Sequence, residues 1–291
     1  MLALLQWSRN FPPQVQVIGI QYPGRGQRFE EKSVEDIKEL VHLLIDDIKN
    51  FFIEPLYIPY IVYGHSFGAL CAYEFQRQIR NLGFPIALQF IVSGRRAPHT
   101  GIVDSPICNL PERELQEACL DRYNAQIITD SDLIQLTIPP LRADLTAIDL
   151  YMPDTYSEND PPLDIALTAM VGENDKMVPF KDLNAWGQHV NKERIEEFST
   201  IKINNAPHFF YDNVQFLQVI MNKIQTALTE IEEKGDLVTK PAKKSQPITQ
   251  TTQVRLTQES QQEMETKEKE KKEKKKKKKK DQEFEDDYNL C

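Results

Sequence analysis

Five short segments set the architecture: Val15 to Gln21, Ile58 to Tyr63, Leu88 to Ser93, Ile165 to Val171 and Ile195 to Ile203 are nearly all apolar, several of them rich in β-branched residues. Strands of that composition are buried on both faces, so they belong to a parallel sheet covered by helices on each side. The intervening sequence supplies the helices. Ile37, Leu40, Val41, Leu44, Ile45 and Ile48 recur at helical spacing, with Ser33 placed to cap them and Asp36 three residues on. A second helix is expected from Phe67 to Leu82, stopping at Gly83, and a last one from Val214 to about Glu232, stopping near Gly235. Strand and helix in alternation give an α/β fold. One stretch breaks the rhythm. From Pro111 to about Met152 there are helical patterns and no strand, divided by Pro139-Pro140, which suits an inserted helical cap, spanning about 105–155, over a binding cleft.

Charge separates this body from the C-terminal segment. Before Lys240 there are 20 basic against 33 acidic residues, and from Lys240 onward 15 against 11. An acidic body has no field to draw nucleic acid or an anionic membrane. The segment 240–291, with its run Lys274 to Lys280 and acidic close Glu283 to Asp287, is expected to be a disordered charged tail, because it cannot bury enough apolar area to offset its ordering entropy. No apolar run approaches the roughly 20 residues of a membrane span, and Trp7, Ser8 and Arg9 interrupt Met1 to Leu5 too early for a signal peptide. The expectation is a cytoplasmic protein, monomeric, with one domain at 1–239. Cys71, Cys108, Cys119 and Cys291 are widely spaced, so reduced thiols are expected rather than disulfides or a zinc site.

The chemistry begins where the strand Ile58 to Tyr63 runs into Gly64-His65-Ser66-Phe67-Gly68 and then into a helix. In that context Gly-x-Ser-x-Gly is a nucleophile elbow, a turn tight enough to require small residues and sharp enough to lift a serine hydroxyl off the strand end. The bland alternative is an ordinary strand-to-helix turn with Ser66 as cap. In this kind of sheet the acid and the histidine follow in that order. Asp175 lies just past the strand Ile165 to Val171, and His208 just past the strand Ile195 to Ile203, both at carboxyl ends where an open α/β sheet places its site. His208 would take the Ser66 proton and Asp175 would fix its tautomer. Asp182 and Asp212 are rivals for the acid. His42, His65, His99 and His189 are rivals for the base, each on a helix, in the elbow or in a loop. Cys71 is read as packing. No phosphate-binding glycine loop, dinucleotide fingerprint or metal-spaced ligand set appears, so the chemistry needs no cofactor and no metal.

Six motifs then coincide in order: Gln21 to Arg28, Gly64 to Gly68, Ser93 to Pro98, Pro140 to Asp144, Gly172 to Asp175, and His208-Phe209-Phe210. Over about Trp7 to Asn222 the chain resembles the type II thioesterases, stand-alone α/β-hydrolases that serve fatty-acid, polyketide and nonribosomal-peptide synthases. The resemblance implies hydrolysis of acyl thioesters on the phosphopantetheine arm of an acyl carrier protein, with Ser66, His208 and Asp175 as the triad. Arg142 and Asp144 match the family's Arg-Ala-Asp motif and are expected to form a structural ion pair; Pro23-Gly24-Arg25 is expected to be a turn. Phe67 stands where the family has Met, and its backbone N–H is the expected oxyanion-hole donor. The family also carries a strand and a Gly-Gly loop ahead of the tryptophan that Trp7 resembles, with no counterpart in this sequence. The sheet is therefore expected to be incomplete on its N-terminal side, between Val15 to Gln21 and Ile58 to Tyr63, and the oxyanion hole short of one donor. Two other functions remain open: a pseudoenzyme that binds acyl groups or carrier protein without turnover, and a carboxylesterase.

Overall fold

In a computed structural model, residues 7, 10–52, 58–101, 105–156 and 160–233 are described. The chain divides into two units, 1–240 and 241–291. The expected tail, Cys291 and the Gly235 stop lie outside the described residues.

Four parallel strands, β1 (Ile61–His65), β2 (Gln89–Ser93), β3 (Ala166–Gly172) and β4 (Ser199–Ile203), stand side by side in chain order. Their register sets His65 beside Ser93 and Ser93 beside Met170, while Gly172 pairs with Ile203, so β3 and β4 run two residues past β1 and β2 and all four end on the same side of the sheet. Alternation divides the core into two. Phe90, Val92, Leu167, Ala169 and Val171 face the helices α1 (Ile37–Ile48) and α2 (Phe67–Asn81). Ile91, Met170 and Ile203 face α5 (Val214–Glu233), through Phe216, Ile220 and Ile224. Between β2 and β3, α3 (Glu112–Tyr123) and α4 (Ser131–Leu150) form the cap, with their own cluster of Ile107, Cys108, Leu115, Cys119, Ile138 and Leu145. No helix among the described residues is long and apolar enough to cross a membrane.

Several expectations need correction. Val15 to Gln21 is not a strand: it pairs with no strand among the described residues, and Ile18 and Ile20 are exposed. β1 is thus an outer strand among the described residues, only half buried where β2 and β3 are buried throughout. It starts at Ile61 rather than Ile58, since Pro59 has no N–H to give a ladder. β4 starts at Ser199 because Asn191 caps a tight turn over Lys192–Glu197. Asp36, not Ser33, caps α1 by accepting from the Glu39 N–H at 2.9 Å. Pro139 and Pro140 lie inside α4 rather than dividing the cap. The carbonyls they deprive of partners belong to Gln135 and Leu136, both on the exposed side where water can serve them. The division falls instead at Asn124, whose left-handed backbone (φ 55°) ends α3.

A buried polar chain ties the segment after the cap to α2. Tyr73 and Tyr156 share a hydrogen bond of 2.8 Å, Tyr156 bonds His189 Nδ1, and His189 Nε2 lies 2.7 Å from His99 Nδ1. Arg77 lies over both tyrosine rings and joins Arg80 on Asp160. Burial, then His99 and Arg77, push His189 from 6.5 down to about 3. Between those values the unfolded chain binds a proton that the folded one refuses. The contribution is therefore complete above about pH 6.5 and falls as pH drops, by up to about 1.4 kcal/mol per unit. His189→Asn should flatten the fall in unfolding free energy between pH 6.5 and 5, measured by denaturant titration; an unchanged slope would contradict a neutral buried imidazole.

Candidate active site

Ser66 follows β1 directly and opens α2 with φ 51° and ψ −114°, a conformation L-residues rarely adopt. Two features hold it there. Its N–H donates to the Ser93 carbonyl at 2.8 Å, and Gly64 admits the backbone of the returning helix, since a Cβ at Gly64 would meet the Gly68 carbonyl oxygen at 2.2 Å. Gly68 has open space instead, so only the first glycine of the pattern is sterically required among the described residues. The Phe67 N–H lies at the first position of α2, among the amides that have no acceptor within the helix, while its ring packs edge-on against Tyr22 at 5.6 Å.

Asp175 and His208 come together through the loops after β3 and β4. Glu173 N donates to Ile203 O and Asn174 N to Ala206 O, each at 2.8 Å, and the Asn205 N–H donates to the Glu173 carboxylate. Gly172 lets these loops close: a Cβ there would lie 2.2 Å from the Pro207 oxygen and 2.4 Å from that of Ala206. The result is a bond of 2.8 Å between His208 Nδ1 and Asp175 Oδ2, with both side chains buried. Asp175 Oδ1 accepts from the N–H groups of Met177 and Val178. The carboxylate accepts on every side, which places the bonding proton on His208 Nδ1 and leaves Nε2 as an acceptor. That Nε2 is buried and has no partner among the described residues.

Ser66 and His208 line one pocket with Gly94, Arg95, Arg96, Ile107, Arg122, Tyr123, Leu145, Ile148, Asp149, Met177 and Val178. Ser66 and His208 are not hydrogen-bonded to each other, a contact that commonly tightens only when substrate binds.

The stretch 4–228 matches the family model described as thioesterase domain. The chain belongs to the thioesterase family. Gramicidin S biosynthesis protein GrsT of Aneurinibacillus migulanus is 30% identical over 223 residues, 74% of this chain and 82% of that protein. Thioesterase PikA5 of Streptomyces venezuelae is 26% identical over 188 residues, 64% of each. RedJ, a thioesterase from the prodiginine biosynthetic pathway in Streptomyces coelicolor, superposes with a TM-score of 0.66 at 27% identity, covering 76% of this chain and 80% of that one. The family and the α/β-hydrolase fold expected from the six motifs are those found, and as a family member the protein is a hydrolase acting on thioesters.

The rival residues of this thioesterase fall elsewhere. His99 and His189 belong to the polar chain that reaches α2 at Tyr73, His42 is paired with Asp46 on α1, and Asp182 binds Arg96. Cys71 is buried, and burial pushes its thiol up to about 12, which makes it inert near neutrality. Arg142 and Asp144 do not pair with each other. Two residues apart on a helix, they face different ways. Asp144 takes both ends of the Arg25 guanidinium at 2.6 and 2.7 Å, and Arg142 binds the Cys108 carbonyl. The turn at Pro23-Gly24-Arg25, with Gly24 at φ 81°, thus ties the polypeptide before α1 to the cap.

His65 is closer to the chemistry than its place in the elbow suggested. Its ring lies 4.9 Å from that of His208, and its Nδ1 bonds the Ser93 hydroxyl, which also contacts the Tyr63 hydroxyl, each at 2.8 Å. Burial and His208 hold His65 well below the ordinary histidine value, so it stays neutral beside the base. The pocket residues of the cap have no local sequence signal. Arg95 and Arg96 did have one, being at the carboxyl end of a buried strand.

Gly172→Ala should force the two loops apart. Crowding of this kind costs about 1–3 kcal/mol, and displacing His208 by about 1 Å should slow thioester hydrolysis about 100-fold. Thermal melting and kcat/KM on one acyl-pantetheine measure both; a variant as stable and active as the parent would show that the loops do not need this contact.

Proposed function

We propose that the protein releases acyl groups from the phosphopantetheine arm of a carrier protein, with Ser66 as nucleophile, His208 as base and Asp175 as its orienter. The observation that carries the reading is the buried His208 Nε2, unpartnered among the described residues, in the pocket that Ser66 also lines, with Nδ1 held by Asp175. Ser66 Oγ attacks the thioester carbonyl carbon as its proton passes to His208 Nε2. The carbonyl oxygen becomes an oxyanion, to which the Phe67 N–H donates. Collapse breaks the carbon–sulfur bond, and His208 returns the proton to the leaving thiolate. Water then attacks the acyl-serine, giving its proton to His208; the bond from the acyl carbon to Ser66 Oγ breaks as His208 passes that proton to Oγ, and the free acid leaves. Neutral His65 lets the imidazolium form without a like charge beside it.

Carrier protein as the source of the thioester is supported by the biosynthetic pathways named for RedJ and GrsT. Thioester over oxygen ester rests on the family. A serine-directed fluorophosphonate should label Ser66, and Ser66→Ala should abolish labelling and lower turnover of acyl-pantetheine at least about 10⁴-fold. Label on another residue, or turnover surviving the substitution, would overturn the assignment. Faster hydrolysis of p-nitrophenyl esters than of acyl-pantetheine would make the protein a carboxylesterase instead.

A further inference from the structure

Asp149 stands where a carboxylate is costly. It lies in the last turn of α4, a turn with no basic residue, where the negative end of the helix dipole opposes it. It also lines the pocket shared by Ser66 and His208. Leu145 and Ile148, four and one residues before it, line the same pocket, so the helix face turned towards the reacting serine is apolar with one acid at its end. Ile107, Met177 and Val178 continue the apolar wall. Asp149 Oδ2 is buried with no hydrogen-bond partner among the described residues. Burial raises Asp149 above the ordinary aspartate value; Cys108, Arg95 and Arg122 act in the other direction, the arginines by charge without a hydrogen bond to Oδ2. Neither the fold nor the hydrolytic steps use this acid, and a buried acceptor without a donor is a loss that a donor on the substrate can recover.

We infer that Asp149 makes the acyl pocket selective for thioesters whose acyl chain carries a hydrogen-bond donor, a hydroxyl or an ammonium, that Oδ2 accepts. The inference rests on the proposed thioesterase site and adds its substrate class. The donor is assigned to the acyl chain rather than the arm because Leu145 and Ile148, on the helix face that carries Asp149, line the same pocket. A plain alkyl chain would fill that wall and leave Oδ2 unpaired, and a site with an unmet buried acceptor rejects the analogue lacking the donor.

The test uses pantetheine amides, in which nitrogen replaces the thioester sulfur so that binding is read without turnover. Butyryl, 3-hydroxybutyryl and 3-aminobutyryl forms share one arm and differ only in the donor. Calorimetry on the full chain should show the two donor-bearing amides binding about 10-fold or more tighter than the butyryl amide. Asp149→Leu should bring those ratios to about one. Asp149→Asn, close in shape and without charge, should keep preference for the hydroxyl and lose it for the ammonium. Equal affinities in the parent, ratios that persist in Asp149→Leu, or an Asp149→Leu loss that is the same for all three amides would overturn the inference, the last by placing Asp149 on the arm. The matched thioesters separate this failure from that of the hydrolase reading. Turnover without preference removes only the selectivity; preference in binding without turnover removes only the hydrolysis.

Discussion

The approach of Gly172 to the carbonyl oxygens of Ala206 and Pro207 decides where the chemistry can occur. Asp175 and His208 are 33 residues apart and sit on loops after adjacent strands. Parallel register brings the two strand ends level, but loops with side chains at the crossing would splay apart. With no Cβ at Gly172 the backbones exchange hydrogen bonds through Glu173 and Asn174, and the imidazole reaches the carboxylate. Everything that His208 can do depends on that contact, because Asp175 fixes which nitrogen carries the proton.

The serine side depends on a second constraint of the same kind. The elbow holds Ser66 in a disfavoured conformation, and such strain persists only where the surroundings over-determine it. Here the Ser93 carbonyl holds the Ser66 N–H, the Ser93 hydroxyl holds His65, and Gly64 allows α2 to turn back at once. Ser93 thus ties the elbow to β2 through its backbone and its side chain. The cap completes the pocket from above, held to the body by Arg25 on Asp144.

Much of this was legible in the sequence because the relevant signals are local. Runs such as Gln89 to Ser93 and Ala166 to Gly172 are mostly apolar since both faces are buried, and Ser66, Asp175 and His208 each stand just past a strand. The errors arose where a local pattern needed a partner the sequence does not name. Val15 to Gln21 has strand composition, yet a strand exists only through its ladder, and none forms among the described residues. Pro139-Pro140 reads as a break, yet the carbonyls they orphan face solvent. Asp144 reads as the partner of Arg142 within one motif, while its true partner lies 119 residues away. Asp149 carries no sequence signal at all, since its meaning comes from the pocket that α4 helps to enclose.

The central claim is that these strand ends assemble one hydrolytic site in which His208 serves Ser66. An alkyl boronic acid tests it most directly, because boron forms a tetrahedral adduct with an activated serine oxygen and so stands in for the reaction intermediate. A crystal structure of the adduct should show boron on Ser66 Oγ, His208 Nε2 within about 3 Å of that oxygen, and the His208 to Asp175 bond intact. Boron bound to another residue, or a His208 ring turned away from Ser66 in the adduct, would contradict the account.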